Sequence, residues 1–229
     1  IAMGVKAEFL LAASIMAGAG APVVSKIIYP ETEQSQTKES VKVNIERTNV
    51  NLIDSIAQAA SDGMRVSLNV IAMLIALLSL IALGDYILAK IGLFLYNVCH
   101  IHLSFIDLSH LSIKSLLGLL FSFFALIIGT PLHDVMNVGA LMGEKLVLNE
   151  FIAYTDLIAM KDILSQKAMI IASFALCGFA NFGSIAIQIG GIGELAPTRR
   201  KDLAKLGIKA LIAGTLASYI SAAMAGILL

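Results

Sequence analysis

The chain has 229 residues, 58% of them hydrophobic and 14% charged, with 16 basic and 16 acidic side chains and a mean hydropathy of +0.88. Soluble domains run nearer roughly 45–50% apolar and 25% charged, so these charges are too few to wet a surface of this size. The balanced charge offers no field for nucleic acid, and Cys99 and Cys177 are too few and too far apart for a disulfide or zinc framework. Cys177, inside an apolar run, is expected as a packed thiol. The opening Ile1-Ala2-Met3-Gly4 carries neither an initiator Met nor the charged start of a signal peptide, and reads as a chain whose upstream part is missing.

A membrane helix needs about 20 predominantly apolar residues to cross roughly 30 Å of hydrocarbon. Residues 1–29 are predicted to form a first transmembrane helix, with its apolar run at 7–29 interrupted by Pro22 and closed by Lys26. Residues 30–51 are polar and read as a cytoplasmic loop. Residues 52–96 read as one long transmembrane helix with a wet foot, because Asp54, Gln58, Asp62 and Arg65 precede a fully apolar stretch from Val70 to Leu83. Residues 97–131 read as an external loop holding His100, His102 and His110, followed by an interfacial helix from Leu116 to Ile128. Residues 132–166 mix His133, Asp134, Glu144, Lys145, Glu150, Asp156 and Asp162 with apolar residues, a pattern that suits a re-entrant hairpin rather than a span. Residues 167–196 are apolar but interrupted at Gly178, Asn181, Gly183 and Ser184, and read as a discontinuous transmembrane helix. Residues 197–229 supply the basic loop with Arg199, Arg200 and Lys201, then a last span.

Short loops rich in Lys and Arg stay cytoplasmic. That places the 30–51 and 197–205 loops inside and the 97–111 loop outside, which is consistent only if 112–165 does not cross on balance. Gly4-Val5-Lys6-Ala7 before the first span echoes Gly207-Ile208-Lys209-Ala210 before the last, on oppositely directed helices. Inverted repeats of this kind are a common transporter plan.

Ionisable groups at membrane depth are costly and usually functional. Glu150 is the first candidate, since a carboxylate accepts hydrogen bonds from a hydroxylated ligand and its two oxygens suit paired hydroxyls. The alternative for Glu150 is a solvated loop acid. Asn181, Ser184 and Phe179 form the second group. Unwinding a membrane helix frees backbone groups only beside protein or a wet cavity, and there Asn181 offers donor and acceptor, Ser184 a hydroxyl and Phe179 a flat apolar wall. The alternative is that Asn181 and Ser184 merely join helices, with Gly178 and Gly183 allowing close approach. His100-x-His102 lacks a third metal ligand at a convincing spacing. Gly190-Gly191-Ile192-Gly193 follows a helical run and is not a dinucleotide loop. No G-x-S-x-G or H-E-x-x-H constellation appears, so no enzyme is expected.

Ala175 to Ile187 reads ALCGFANFGSIAI, Leu195 to Gly207 reads LAPTRRKDLAKLG, Lys145 to Tyr154 reads KLVLNEFIAY and Val66 to Ala76 reads VSLNVIAMLIA. With Leu11 to Met16 and Pro30 to Glu33, these segments resemble the concentrative nucleoside transporter family over nearly the whole chain. The resemblance implies an all-α integral membrane fold: a polytopic helical bundle with a re-entrant helical hairpin and a discontinuous transmembrane helix, half of an inverted-repeat transporter. It further implies that Glu150, Asn181 and Ser184 hold the ribose of a nucleoside and that Phe179 packs beside it. Gly183 departs from the family's first serine, leaving Ser184 in register.

The family's base-reading hairpin has no counterpart here, so the full protein is expected to be about twice as long, with the sodium ligands upstream. The implied function is a sodium-driven symporter of nucleosides, uridine and other pyrimidine nucleosides among them, forming a homotrimer in the cell's inner membrane. Elevator-like alternating access would move it, with no catalytic residue and no cofactor besides the coupling ion. A proton-coupled symporter is the close alternative and a channel the more distant one. A channel would need rings of pore-lining groups, whereas the polar residues here cluster at two helix breaks.

Overall fold

In the computed structural model the apolar runs fold as eight α-helices among the described residues, which are 6–32, 50–98, 100 and 108–228. Lys38, Lys42 and Arg47 of the 30–51 loop, His102, and residues 1–5 with the start of the internal echo lie outside the described residues. Helix α1 runs Ala7–Ile28 with Pro22 inside it. Helix α2 runs Leu52–Asn97, 46 residues, so at 1.5 Å per residue it is roughly 69 Å long, about twice a hydrocarbon core. It starts on an Asn cap: the Asn51 side chain accepts from Asp54 N, and the Asp54 carboxylate accepts from Val50 N just before the helix. Large apolar side chains stand exposed along its length, from Leu52 through Leu68, Ile75 and Leu83 to Phe94. By length and composition α1, α2 and the segment Pro197–Leu228 are each able to cross a membrane.

After a short 3-10 turn at Leu108–His110, helix α3 spans Ile113–Ile127 and opens on a Ser112/Ser115 capping box. Its first amide, Ile113 N, donates to Asp85 Oδ1 at 2.7 Å, which ties its start to α2. Gly129, at φ +93°, turns the chain toward Pro131 and helix α4, Val135–Val147. Helices α3 and α4 lie backbone to backbone. A Cβ on Gly139 would sit 2.5 Å from Ser122 N, and one on Gly143 2.8 Å from Gly118 N.

Helix α5 follows at Glu150–Ala159, capped by the Asn149 side chain, which accepts from Ile152 N. Helices α4 and α5 form a hairpin with its tip at Leu148–Glu150. Its base is closed by the buried Asp134, whose Oδ2 accepts from Ser165 Oγ at 2.6 Å and Ser165 N at 3.1 Å. Lys114 on α3 pairs with Glu144 on α4 and, at 3.1 Å, with Asp156 on α5, joining three helices through one ammonium.

Helix α6, Gln166–Leu176, ends where the apolar run is interrupted, and α7, Phe182–Leu195, resumes after it. A 3-10 turn at Pro197–Arg199 leads to α8, Arg200–Leu228. The core lies between the hairpin, α6 and α8, with Val138, Leu141, Met142, Leu157, Ile171, Ala172 and Ala222 fully or almost fully buried.

Overpacking a filled contact typically costs about 1–3 kcal/mol, and more where backbone rather than a flexible side chain blocks the new atoms. Gly139→Val is therefore expected to lower the thermal unfolding midpoint of the purified protein by several degrees. The same substitution at Gly18, which faces open space, is expected to lower it less, a difference that a melting curve in detergent reads directly.

Candidate functional site

An interrupted helix has to dispose of the polar groups at both of its new ends, because each unpaired backbone group at membrane depth is expensive. At the C-terminal end of α6 three side chains from three elements take the freed carbonyls. Tyr154 OH donates to Ser173 O at 2.7 Å, Lys145 Nζ to Ala175 O at 3.0 Å, and Ser218 Oγ lies 2.9 Å from Cys177 O. They come from α5, α4 and α8 respectively. Gly178 at the turn holds φ +133°, and a Cβ there would lie 2.7 Å from Ser218 Oγ. Only glycine meets both demands.

At the N-terminal end of α7 the chain caps itself. Asn181 Oδ1 accepts from Ser184 N at 2.7 Å, and the Ser184 hydroxyl donates to Asn181 O at 2.6 Å while accepting from Asn181 N at 3.2 Å. Both residues are buried. The amide end of Asn181 turns outward from the cap, and its Nδ2 donates to Glu150 Oε2 at 3.0 Å. Glu150 is the first residue of α5, so its carboxylate stands near the positive ends of both α5 and α7.

The sequence-expected residues therefore meet, although they come from separate parts of the chain. Glu150, Asn181 and Phe179 line a cavity of about 270 Å3 with Gly183 and Ile187, and its far wall is Leu74, Leu77 and Leu78 of α2. Typical small-molecule pockets hold roughly 300–1,000 Å3, so this one is at the lower bound. Phe179 is 69% exposed, and its ring also borders a second cavity of about 330 Å3 lined by Gly178, Ser184, Gln188 and Ser218. Ser184 faces this second cavity and not the first. Its hydroxyl is committed to the α7 cap, where it bonds only to the backbone of Asn181 and reaches no other helix.

Glu150 Oε1 carries no hydrogen bond among the described residues, and Asn181 Nδ2 has a second N–H beyond the one given to Glu150. A ligand offering adjacent hydroxyls would find an acceptor and a donor side by side. Cys177 is half-buried, with Sγ 3.7 Å from Leu10 O and 3.6 Å from Ser14 Oγ. His100 stands apart from this site, in a left-handed backbone conformation at φ 53°. Among the described residues no group of three or more His, Cys, Asp or Glu is placed to hold a metal.

Reading the sequence by motif assigned no role to Lys145, Tyr154 or Ser218. The available signal was Lys145 itself, which with Glu144 interrupts the otherwise apolar stretch Leu141 to Leu148.

The comparisons with known proteins agree on one family. The profile described as "Na+ dependent nucleoside transporter C-terminus" matches residues 9–226. An uncharacterized transporter, YutK of Bacillus subtilis, is 46% identical over 98% of this chain and 53% of its own length. The nucleoside permease NupC of Helicobacter pylori is 36% identical over 98% of this chain and 52% of its own length. Among solved structures, a doubly substituted CNTnw in an outward-facing state superimposes with a TM-score of 0.80. It has 39% identity and covers 98% of this chain and 52% of that one. The chain thus spans about half the length of the relatives it matches.

Backbone strain at a left-handed position costs of order 1–3 kcal/mol, and the Ser218 clash adds to it. Gly178→Ala is expected to lower the unfolding midpoint and to weaken ligand binding at the Glu150–Asn181 pair at least tenfold. Isothermal titration of the purified full-length protein checks the second effect.

Proposed function

This chain belongs to the Na+-dependent nucleoside transporter family, and we propose that the full-length protein is a secondary active symporter carrying nucleosides into the cell on the sodium gradient. As a member of that family it is an all-helical, multi-pass protein of the cell's inner membrane. Our reading of its cargo is uridine and other pyrimidine nucleosides, with Glu150 and Asn181 holding the ribose, Ser184 positioning Asn181 and Phe179 packing beside the ligand.

The observation that carries this reading is the Asn181 Nδ2 to Glu150 Oε2 contact at 3.0 Å. It joins the hairpin tip to the helix break at the edge of a cavity whose opposite wall belongs to α2. Hydrogen bonds to an ionised acceptor are the strong kind, and a carboxylate already oriented by an amide has little left to lose on binding.

The proposed movement follows from the same placement. Helix α2 acts as scaffold, and α1, the re-entrant α4–α5 hairpin and α6–α8 form the mobile body, so that sliding past Leu74, Leu77 and Leu78 exposes the ligand alternately to each side. The basic segment 197–205, expected as a loop but folded as the 3-10 turn and the first residues of α8, faces the cytoplasm. Sodium is co-transported, and its binding favours the state that binds nucleoside. The working assembly is a homotrimer. No bond in the cargo is made or broken, so the protein is a carrier and not an enzyme.

The test is radiolabelled uridine uptake into proteoliposomes holding the full-length protein, with an inward gradient of sodium, of protons or of neither. Sodium-dependent accumulation is expected. Accumulation on the proton gradient alone would overturn sodium coupling, and no uptake of any nucleoside would overturn the transport assignment. Glu150→Gln and Asn181→Ala are each expected to cut the initial rate about a hundredfold, consistent with losing a charged hydrogen bond. Membrane expression should be unchanged in both variants, as a surface-labelling assay would show.

A further inference from the structure

Lys145 is the largest fully buried side chain in the molecule among the described residues, 1% exposed, and transport as derived above gives it no task. A buried ammonium without compensation is costly, so its surroundings have to supply negative potential. They do so from two helix ends. Lys145 lies in the last turn of α4, and its Nζ reaches across to Ala175 O at the C-terminal end of α6. Both ends carry the negative pole of their helix dipoles. The hairpin thus places a cation among two C-terminal ends and, five residues later, the Glu150 carboxylate near two N-terminal ends.

In interrupted transporter helices, freed carbonyls at a half-helix C-terminus are where a coupling cation from solution binds. Here that position is taken by a side chain. We propose that Lys145 is a tethered cation that occupies, at the α6–α7 break, the place of a soluble monovalent cation, so that this half of the protein takes up no coupling ion of its own. The chemistry left behind when the side chain is shortened is that of a small monovalent cation site. It has Ala175 O as a ready oxygen ligand, the Glu150 carboxylate nearby, and room for an ion with water. The position also lies close to a cavity. A Cβ at Gly178 would lie 4.0 Å from Lys145 Nζ, and Gly178 and Ser218 line the 330 Å3 cavity.

Two variants separate this role from simple core packing. Lys145→Ala removes the charge and opens the volume, whereas Lys145→Met removes the charge but fills the volume with an apolar chain. The full-length protein in detergent is melted across a series of sodium, ammonium and choline chloride at constant ionic strength, and uridine binding is measured in the same series. Lys145→Ala is expected to melt lower than wild type in choline, to recover in sodium or ammonium, and to bind uridine at least tenfold more weakly until those ions are added. Its sodium dependence is expected to be steeper than that of wild type. Lys145→Met is expected to stay low in every salt.

The inference is overturned if Lys145→Ala matches wild type in choline, if no cation restores it, or if it folds in none of these salts. Equal recovery of Lys145→Met also overturns it, because a filled site cannot take an ion. The uridine arm rests on the nucleoside reading above. Wild-type protein that binds no nucleoside would sink that reading while the cation-dependent melting still decides the role of Lys145.

Discussion

The structure turns on one constraint: a largely buried helical run interrupted in its middle exposes two ends of opposite polarity, and both have to be neutralised by protein. The α4–α5 hairpin does this with the last turn of α4 and the tip that follows it. Lys145 donates to Ala175 O at the negative end of α6, and Glu150 accepts from Asn181 at the positive end of α7. Helix-end electrostatics are worth about 0.3–1 kcal/mol each at a wet surface and up to roughly 2 kcal/mol when partly buried. Hydrogen bonds to charged groups contribute about 1.5–3 kcal/mol. The break persists because a second element complements it, with Tyr154 and Ser218 taking further carbonyls.

Such an arrangement works only if the hairpin is held in register, and the rest of the hairpin serves that end. Its base is closed by Asp134 on Ser165, and the three glycines Gly118, Gly139 and Gly143 let α3 pack against α4 at backbone distance. The Lys114 ammonium bridges Glu144 and Asp156 from outside, fixing α4 and α5 relative to each other. With the far ends pinned, the tip residues Leu148–Glu150 have little freedom of their own. A ligand that binds Glu150 and Asn181 therefore meets groups already oriented, which keeps the entropic cost of binding low.

The same geometry gives the site its mechanical position. Its polar side belongs to the hairpin and the break, while its apolar side belongs to α2 through Leu74, Leu77 and Leu78. A polar bridge, Asn69 Nδ2 to Glu194 Oε2 at 3.0 Å, joins α2 to α7 in an exposed position where a hydrogen bond exchanges readily with water. Contacts between α2 and the site wall are thus apolar or exposed, whereas those between hairpin and break are hydrogen bonds at buried or part-buried positions, two of them involving a charged group. The hairpin and the broken helix are tied to each other by stronger bonds than those that tie the site wall to α2.

The sequence by itself determined the class of the molecule. Hydropathy pointed to a membrane chain and the family resemblance to an all-helical one, apolar length marked the runs that became α1, α2 and α8, and glycine with asparagine marked the interruption between α6 and α7. These are local properties, set by side-chain solvation and backbone conformation within a few residues. Residue chemistry, and then the family motifs, drew attention to Glu150, Asn181, Ser184 and Phe179, but not to how they divide the work. Tertiary structure alone decided that Asn181 bridges to Glu150, 31 residues away, while Ser184 spends its hydroxyl on the cap. It alone gave Lys145 a carbonyl 30 residues distant and gathered Lys114, Glu144 and Asp156 into one ion group. The reason is physical: a charge in an apolar stretch states that it needs a partner, and only the packing of distant helices determines which partner it finds.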